Sequence, residues 1–325
     1  VTALTTDARA GASRAVTSSR SRKRRNRRQG WTVLALLSPG LIGLGVFTIY
    51  PLLANIFYSF THFDLINPAH WAGLANYRFM FSSDPQVGRA IENTLYYMVI
   101  AVPLQLLFGL GVALVMARVK RGASFYRTLF YLPTLLPPVA ATLAFVFVLN
   151  PATGPVDTIL GKLHLPQPLW FSDPHWSKPS LILLSLWGVG NTIIIMLASR
   201  LDVPLERYEA ASLDGAGAWS SFRAVTLPAM APVLLFSGVT GAIIAMQLFT
   251  EPYVAVSIAR GTTSFGFPQG STMFYSTWLY EQGFEYFNMG YAAALSVVLF
   301  AASLVVIAVI VRVSRSIINA EAEGS

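Results

Sequence analysis

The chain has 325 residues, 54% of them hydrophobic and 12% charged, with a formal net charge of +8 and a mean hydropathy of +0.56. Soluble domains carry about 25% charged residues, so a water-soluble globule is excluded, and so is disorder, which needs low hydrophobicity and high charge. With no cysteine, there is no disulfide framework, thiolate nucleophile or sulfur-ligated metal site, and His62, His70, His164 and His175 fall in polar stretches without the i, i+4 spacing of a helical zinc pair.

Residues 1–30 form a separate segment rich in Ser, Thr, Ala and Arg, with a dense basic run from Arg20 to Arg28. The expected role is a disordered cytoplasmic tail that fixes topology and touches anionic lipid headgroups. A nucleic-acid arm is a poor fit, because an apolar span begins at once. That apolar stretch is also too long for a signal peptide, and it lacks a small-x-small cleavage site.

Six windows then contain no Asp, Glu, Lys or Arg: Gly30–Phe63, Asn93–Ala117, Thr128–Val156, Pro179–Ser199, Ala224–Thr250 and Tyr286–Val311. The shortest has 21 residues, and a helix needs about 20 apolar residues to cross the hydrocarbon layer. One Lys or Arg at the centre of such a helix costs roughly 2.5–3.5 kcal/mol on insertion scales. Backbone groups must be paired in lipid, so the windows are helices or a closed barrel. They are about twice too long for barrel strands and do not alternate. The expected fold is therefore all-α, a polytopic membrane protein with six transmembrane helices over residues 31–315, and 316–325 form a cytoplasmic C-terminal tail. Pro39, Pro51, Pro103, Pro133, Pro137 and Pro138 interrupt the first three windows and predict kinks covered by neighbouring helices.

With six spans, both termini and the second and fourth connections share one side. That side holds 18 of the 23 basic residues, against 5 on the other. Positive residues stay cytoplasmic, so both termini are expected inside. The outer connections His62–Glu92, Asp157–Lys178 and Pro252–Glu285 carry Trp71, Trp170, Trp176 and Trp278, whose default place is the headgroup layer.

The fourth connection, residues 201–228, reads as two short helices joined at a turn. Pro204 suits a first helical position, and Glu206 favours the positive helix end. Leu205–Leu213 is a helical run, and Gly215 can take the left-handed conformation that ends it. Trp219, Phe222 and Val225 then recur on one face before Pro228. The string Glu209-Ala210-Ala211, Asp214-Gly215-Ala216, Phe222 and Leu227-Pro228 closely resembles the EAA loop of ABC importer permeases. Phe125 to Pro133 with Pro137-Pro138, then Asn150-Pro151 and Gly154, is similar to the third-span region of carbohydrate permeases of the maltose-uptake, MetI-like type. Glu92 to Leu95 and Phe287 to Ser296 are similar to the openings of their second and sixth spans. One departure is visible: Arg260-Gly261-Thr262-Thr263 stands where many relatives carry Gly-Gly-Pro.

The resemblance implies a type I ABC importer permease fold in a bacterial inner membrane. It implies that Glu209, Ala210, Ala211, Asp214, Gly215 and Ala216 form a coupling helix seated in a groove of a cytoplasmic ATPase. The expected partners are a second homologous permease, an ABC ATPase dimer, an extracytoplasmic solute-binding protein, a sugar and membrane lipid. The chain has no Gly-x-x-x-x-Gly-Lys-Ser/Thr phosphate loop, so it needs no cofactor itself and is not an enzyme; ATP and magnesium belong to the partner ATPase. Polar residues within the spans are the pathway candidates: Trp187, Asn191, Thr192, Gln247 and Glu251. Amides, a carboxylate and an aromatic face are what a sugar ring requires, although helix–helix hydrogen bonding would also explain Asn191 and Gln247. Two readings stay open beside a sugar permease: an ABC permease for a non-sugar solute, and an ion-coupled secondary transporter, for which internal repeats and intramembrane carboxylates would be the signs.

Overall fold

The structure is a computed structural model that describes residues 33, 35–260 and 266–323. The basic segment 1–30 lies outside these residues, as do Gly261, Thr262 and Thr263. The chain divides into residues 1–57 and 58–325, and the boundary falls within the first helix, α1 (Ala35–Ser59). Leu36, Ile42, Phe47 and Tyr50 are exposed along α1, as befits a helix apolar on all sides. A π turn at Gly45–Ile49 precedes Pro51, and Tyr50 N–H bonds Gly45 O. The wider turn makes room for a proline ring that would otherwise clash with the carbonyl four residues back.

Within 58–325, a two-residue antiparallel pair, β1 (Thr61–His62) and β2 (His70–Trp71), sets Thr61 opposite Trp71 and His62 opposite His70. Helices α2 (Ala75–Ser82) and α3 (Pro85–Arg118) follow. Next come α4 (Ala123–Leu135) and α5 (Pro138–Val148), bent by 102°. The break is at Leu136-Pro137, where Leu136 is extended with ψ 136°, the conformation proline imposes on its predecessor. After α6 (Pro155–Lys162) come α7 (Pro174–Trp187) and α8 (Gly190–Leu201), bent by 47°. Close packing requires glycine just past this break: a Cβ on Gly190 would collide with the Phe130 carbonyl oxygen. The remaining helices are α9 (Leu205–Leu213), α10 (Ala218–Met246), α11 (Thr250–Arg260), α12 (Tyr275–Tyr280) and α13 (Met289–Glu323). Thus α1, α3, α10 and α13 are unbroken candidate spans, and the pairs α4–α5 and α7–α8 complete six. The third and fourth windows, read as single spans from their missing charges, are each two helices. The last helix runs through the expected tail as far as Glu323.

Three apolar clusters hold the bundle. One joins Tyr97, Ala101, Val146, Leu181, Ala245 and Phe274. A second gathers Met80, Val87, Met273, Trp278, Tyr291 and Leu295. The third packs Leu110, Met116, Ile193, Met196 and Met230, where Gly109 lets α3 approach α8: a Cβ there would lie 3.4 Å from Met196 Sδ.

Polar fastenings cluster at one end. Asp84 caps α3 by accepting from Gln86 N–H, and also accepts from Trp278 Nε1 at 2.9 Å and Tyr291 OH at 2.6 Å. Trp278 is therefore buried and satisfied inside the protein (9% exposed), in contrast to its expected headgroup position. Trp170 likewise donates to Asp157 Oδ2 at 2.7 Å, whereas Trp71 and Trp176 are exposed. Asn93 Nδ2 donates to the carbonyls of Gly270 and Met273, and its Oδ1 accepts from Lys178 Nζ at 3.0 Å. Gly290 N–H donates to Phe63 O at 3.0 Å, and a Cβ on Gly290 would strike the Thr61 carbonyl.

Candidate functional site

Two regions carry the predicted residues. The first is the 201–228 connection. Helix α9 spans Leu205–Leu213 as its propensities suggest, although Pro204 sits one position earlier than expected, at the N-cap. Its exit is a Schellman turn: Ala216 N–H bonds Ala211 O at 2.9 Å, and Gly215 N–H bonds Ser212 O at 3.1 Å. Gly215 has φ +79°, the left-handed conformation that only glycine adopts without cost. No neighbour lies within 4 Å of a Cβ built there, so the requirement for glycine is conformational. Glu209, Ala210, Asp214 and Gly215 are exposed, while Ala211 and Ala216 are half-buried beneath them. No residue of α9 is buried. Leu213 is 90% exposed and Trp219 74%, an unusual cost for side chains of that size unless a partner covers them.

A strut ties this knuckle to the spans. The Arg200 guanidinium lies 4.3 Å above the Tyr208 ring, and Tyr208 OH is 2.9 Å from Thr226 Oγ1. Arg200 lies in the last turn of α8, and Thr226, almost fully buried, ends a second π turn at Phe222–Thr226, again just ahead of a proline, Pro228. A groove of about 570 Å³ beside the strut is bordered by Arg118, Arg200, Tyr208, Trp219 and Thr226. The ends of α3 and α8 therefore meet the 201–228 connection at one end of the bundle. A separate cleft of about 1000 Å³ brings His62, His70, Asp84, Trp278, Asn288 and Tyr291 together. Strut residues Arg200, Tyr208 and Thr226 were not singled out from the sequence; Tyr208 directly precedes Glu209, but its partners lie in other helices.

The second region is a cavity of about 540 Å³ between α3, α5, α7, α8 and α10. It gathers four of the five pathway candidates, Trp187, Asn191, Thr192 and Glu251. The α7–α8 break directs them: Trp187 ends one helix and Asn191 begins the next, so both face the gap. Trp187 stacks on Phe145, with ring centroids 6.1 Å apart and planes at 29°, and lines the cavity with 40% of its surface exposed. Gln247 is not part of this lining; it caps the C-terminus of α10 and is exposed. Tyr97, Gln105, Thr142 and Thr240 line the cavity as well. Gln105 and Thr240 carry no signal in the sequence, because each is an isolated polar residue in an apolar run, which helix packing explains equally well. No side-chain hydrogen bond within the chain engages Gln105, Asn191 or Glu251 among the described residues, so their donors and acceptors remain available. The wall thus offers two amides, hydroxyls, one carboxylate and an aromatic face.

Residues 105–319 match the model of a family described as the binding-protein-dependent transport system inner membrane component. The probable ABC transporter permease protein YesP of Bacillus subtilis is 35% identical over 263 residues, covering 81% of this chain and 83% of its own length. The lactose transport system permease protein LacF of Rhizobium radiobacter is 30% identical over 292 residues, covering 88% and 93%. Among solved structures, a chain of a bacterial ABC transporter involved in the import of the acidic polysaccharide alginate shares the fold, with a TM-score of 0.72 at 23% identity, covering 91% of this chain and 99% of that one.

Proposed function

The chain belongs to the family of binding-protein-dependent transport system inner membrane components, and from that premise we propose that it imports sugar as one of two permease subunits of an ATP-driven transporter. It is a multi-pass membrane permease; the cargo and the assembly are our reading. In it, the cavity beside Trp187 and Asn191 is half of the translocation pathway, completed by a second homologous permease. Helix α9 seats in a cytoplasmic ATPase dimer, which supplies ATP and magnesium chemistry. An extracytoplasmic solute-binding protein delivers the sugar to the opposite end, and both termini lie in the cytoplasm. The excess of basic residues on the α9 side supports that orientation. Among the relatives, LacF is named for lactose, and the diacetylchitobiose uptake permease NgcF of Streptomyces coelicolor is 30% identical over 305 residues; both names favour a glycan.

The observation that carries the proposal is the exposed knuckle at 205–219, attached by a strut to α8 and α10, two helices that also line the polar cavity. Closure of an ATPase dimer around α9 would pull on both helices and change which side the cavity faces. The test is co-purification in detergent with a homologous permease and an ABC ATPase from the same cell, followed by ATP hydrolysis with the sugar-loaded binding protein. Association and sugar-stimulated hydrolysis are expected. A chain that purifies without any ATPase would refute the coupling role.

A further inference from the structure

The charge of the pathway wall is lopsided. Among the residues lining the 540 Å³ cavity there is one carboxylate, Glu251, and no Lys, Arg or His. The polar groups that accompany it, Gln105, Asn191, Thr192 and Thr240, are neutral. Bundle interiors amplify such an imbalance, because low-dielectric walls focus the field of an uncompensated charge along the cleft. A helix N-terminus can attract anions. Here the N-terminus of α11 carries Glu251 in its first turn, so the carboxylate already opposes that positive end. At the α7–α8 break, the carbonyl end of one helix meets the amide end of the next, and their partial charges oppose each other. Such a break offers donors and acceptors side by side, which suits hydroxyl groups better than an acid.

We propose that this half of the pathway disfavours negatively charged solutes, that the cargo is an uncharged or amino-bearing glycan, and that Glu251 sets the discrimination. The inference rests on the cavity being the translocation pathway. The shared fold does not decide it, since the transporter of similar structure serves an acidic polysaccharide. Charge selection therefore lies in the lining side chains.

The chain has no cysteine, so a single one can report the local field independently of any sugar. Asn191→Cys, with Thr192→Cys as the second variant should the first fail to assemble, is introduced into the full importer. Labelling of this chain by cationic (trimethylammonium) and anionic (sulfonate) methanethiosulfonate reagents is followed by mass spectrometry. Thr153→Cys in the exposed turn after α5 is the control. The cation-to-anion rate ratio should exceed the control by about tenfold, and adding Glu251→Gln should reduce it by about threefold or more. A ratio equal to the control, or one indifferent to Glu251→Gln, would overturn the proposal. A parallel arm measures ATP-driven uptake of neutral, amino and uronate oligosaccharides. Neutral or amino glycans moving faster than uronates supports the proposal; uronates moving as fast overturns the charge selection alone. Uptake of no glycan at all would refute sugar import, and the cargo assignment would fall with it.

Discussion

Removing the strut between the knuckle and the spans should separate ATP use from transport. In Tyr208→Ala, the stacking of Arg200 over the ring and the hydrogen bond to Thr226 Oγ1 are both lost. Arg200 and Tyr208 are half-buried, and a cation–π contact that water still reaches contributes about 1 kcal/mol. The hydrogen bond contributes about 1 kcal/mol rather than the 2–3 of a fully dry one, because water from the adjoining groove can replace the phenol. Together they amount to about 2 kcal/mol favouring α9 fixed against α8 and α10. At 1.4 kcal/mol per factor of ten, the detached population should rise by about 30-fold. Folding should hardly change, since α9 buries no residue of its own. Tyr208→Phe keeps the ring and should show about half the energetic effect. The assay is the number of ATP molecules hydrolysed per solute imported, in proteoliposomes containing the whole transporter. The ratio should rise in both variants, more in Tyr208→Ala, while the ATPase still co-purifies. An unchanged ratio in Tyr208→Ala would falsify the strut as a transmitter of force.

Other expectations follow from single positions. Gly215→Val places a β-branched residue at φ +79°, costing about 1–2 kcal/mol of backbone strain or more, so uptake should collapse while membrane insertion persists; Gly215→Asn, which tolerates that conformation, should retain most uptake. Asn93→Ala strands two carbonyls and the Lys178 ammonium at a site that is 3% exposed, and should lower stability by about 3 kcal/mol, read as a fall in melting temperature in detergent. Asp173 caps α7, and the His175 backbone N–H, followed by its ring, holds the carboxyl below the ordinary range. A depressed carboxyl contributes stability above its unfolded pKa and loses that contribution as pH falls through the folded one. The melting difference between wild type and Asp173→Ala should therefore be steady near neutrality and vanish in acid.

Features decided by local chemistry were legible in the chain. Missing charges marked every span, because the cost of a buried charge acts wherever lipid is. The knuckle was legible because its helix, its turn at Gly215 and its following aromatics are all set within the 18 residues 205–222. What was hidden depends on residues far apart. Asp84 takes its partners from Trp278 and Tyr291, so Trp278 does not stay in the headgroup layer where a loop tryptophan is expected. The bend at Leu136-Pro137 is marked by its prolines, but the one at Gly188-Val189 lies where Gly190 packs closely on the Phe130 carbonyl, a contact that no pattern in 179–199 reveals. Gln247 read as a pathway residue by depth alone; the end of α10 at Met246 leaves it outside the lining, whereas Gln105, plain in sequence, lines the cavity from α3.

The wide turn at Phe222–Thr226 has a consequence for how the knuckle is aimed. Each residue added to or removed from a helix swings everything beyond it by about 100°. Deleting one residue from that turn would tighten it to the regular pitch and point the knuckle at a different neighbour, with every docking side chain still present. Tyr208 grips the turn at its far edge, Thr226, so a tug on the knuckle reaches the long helix without first stretching the loosest coil between them. Compass bearing, and not only chemistry, is thus written into the length of this segment.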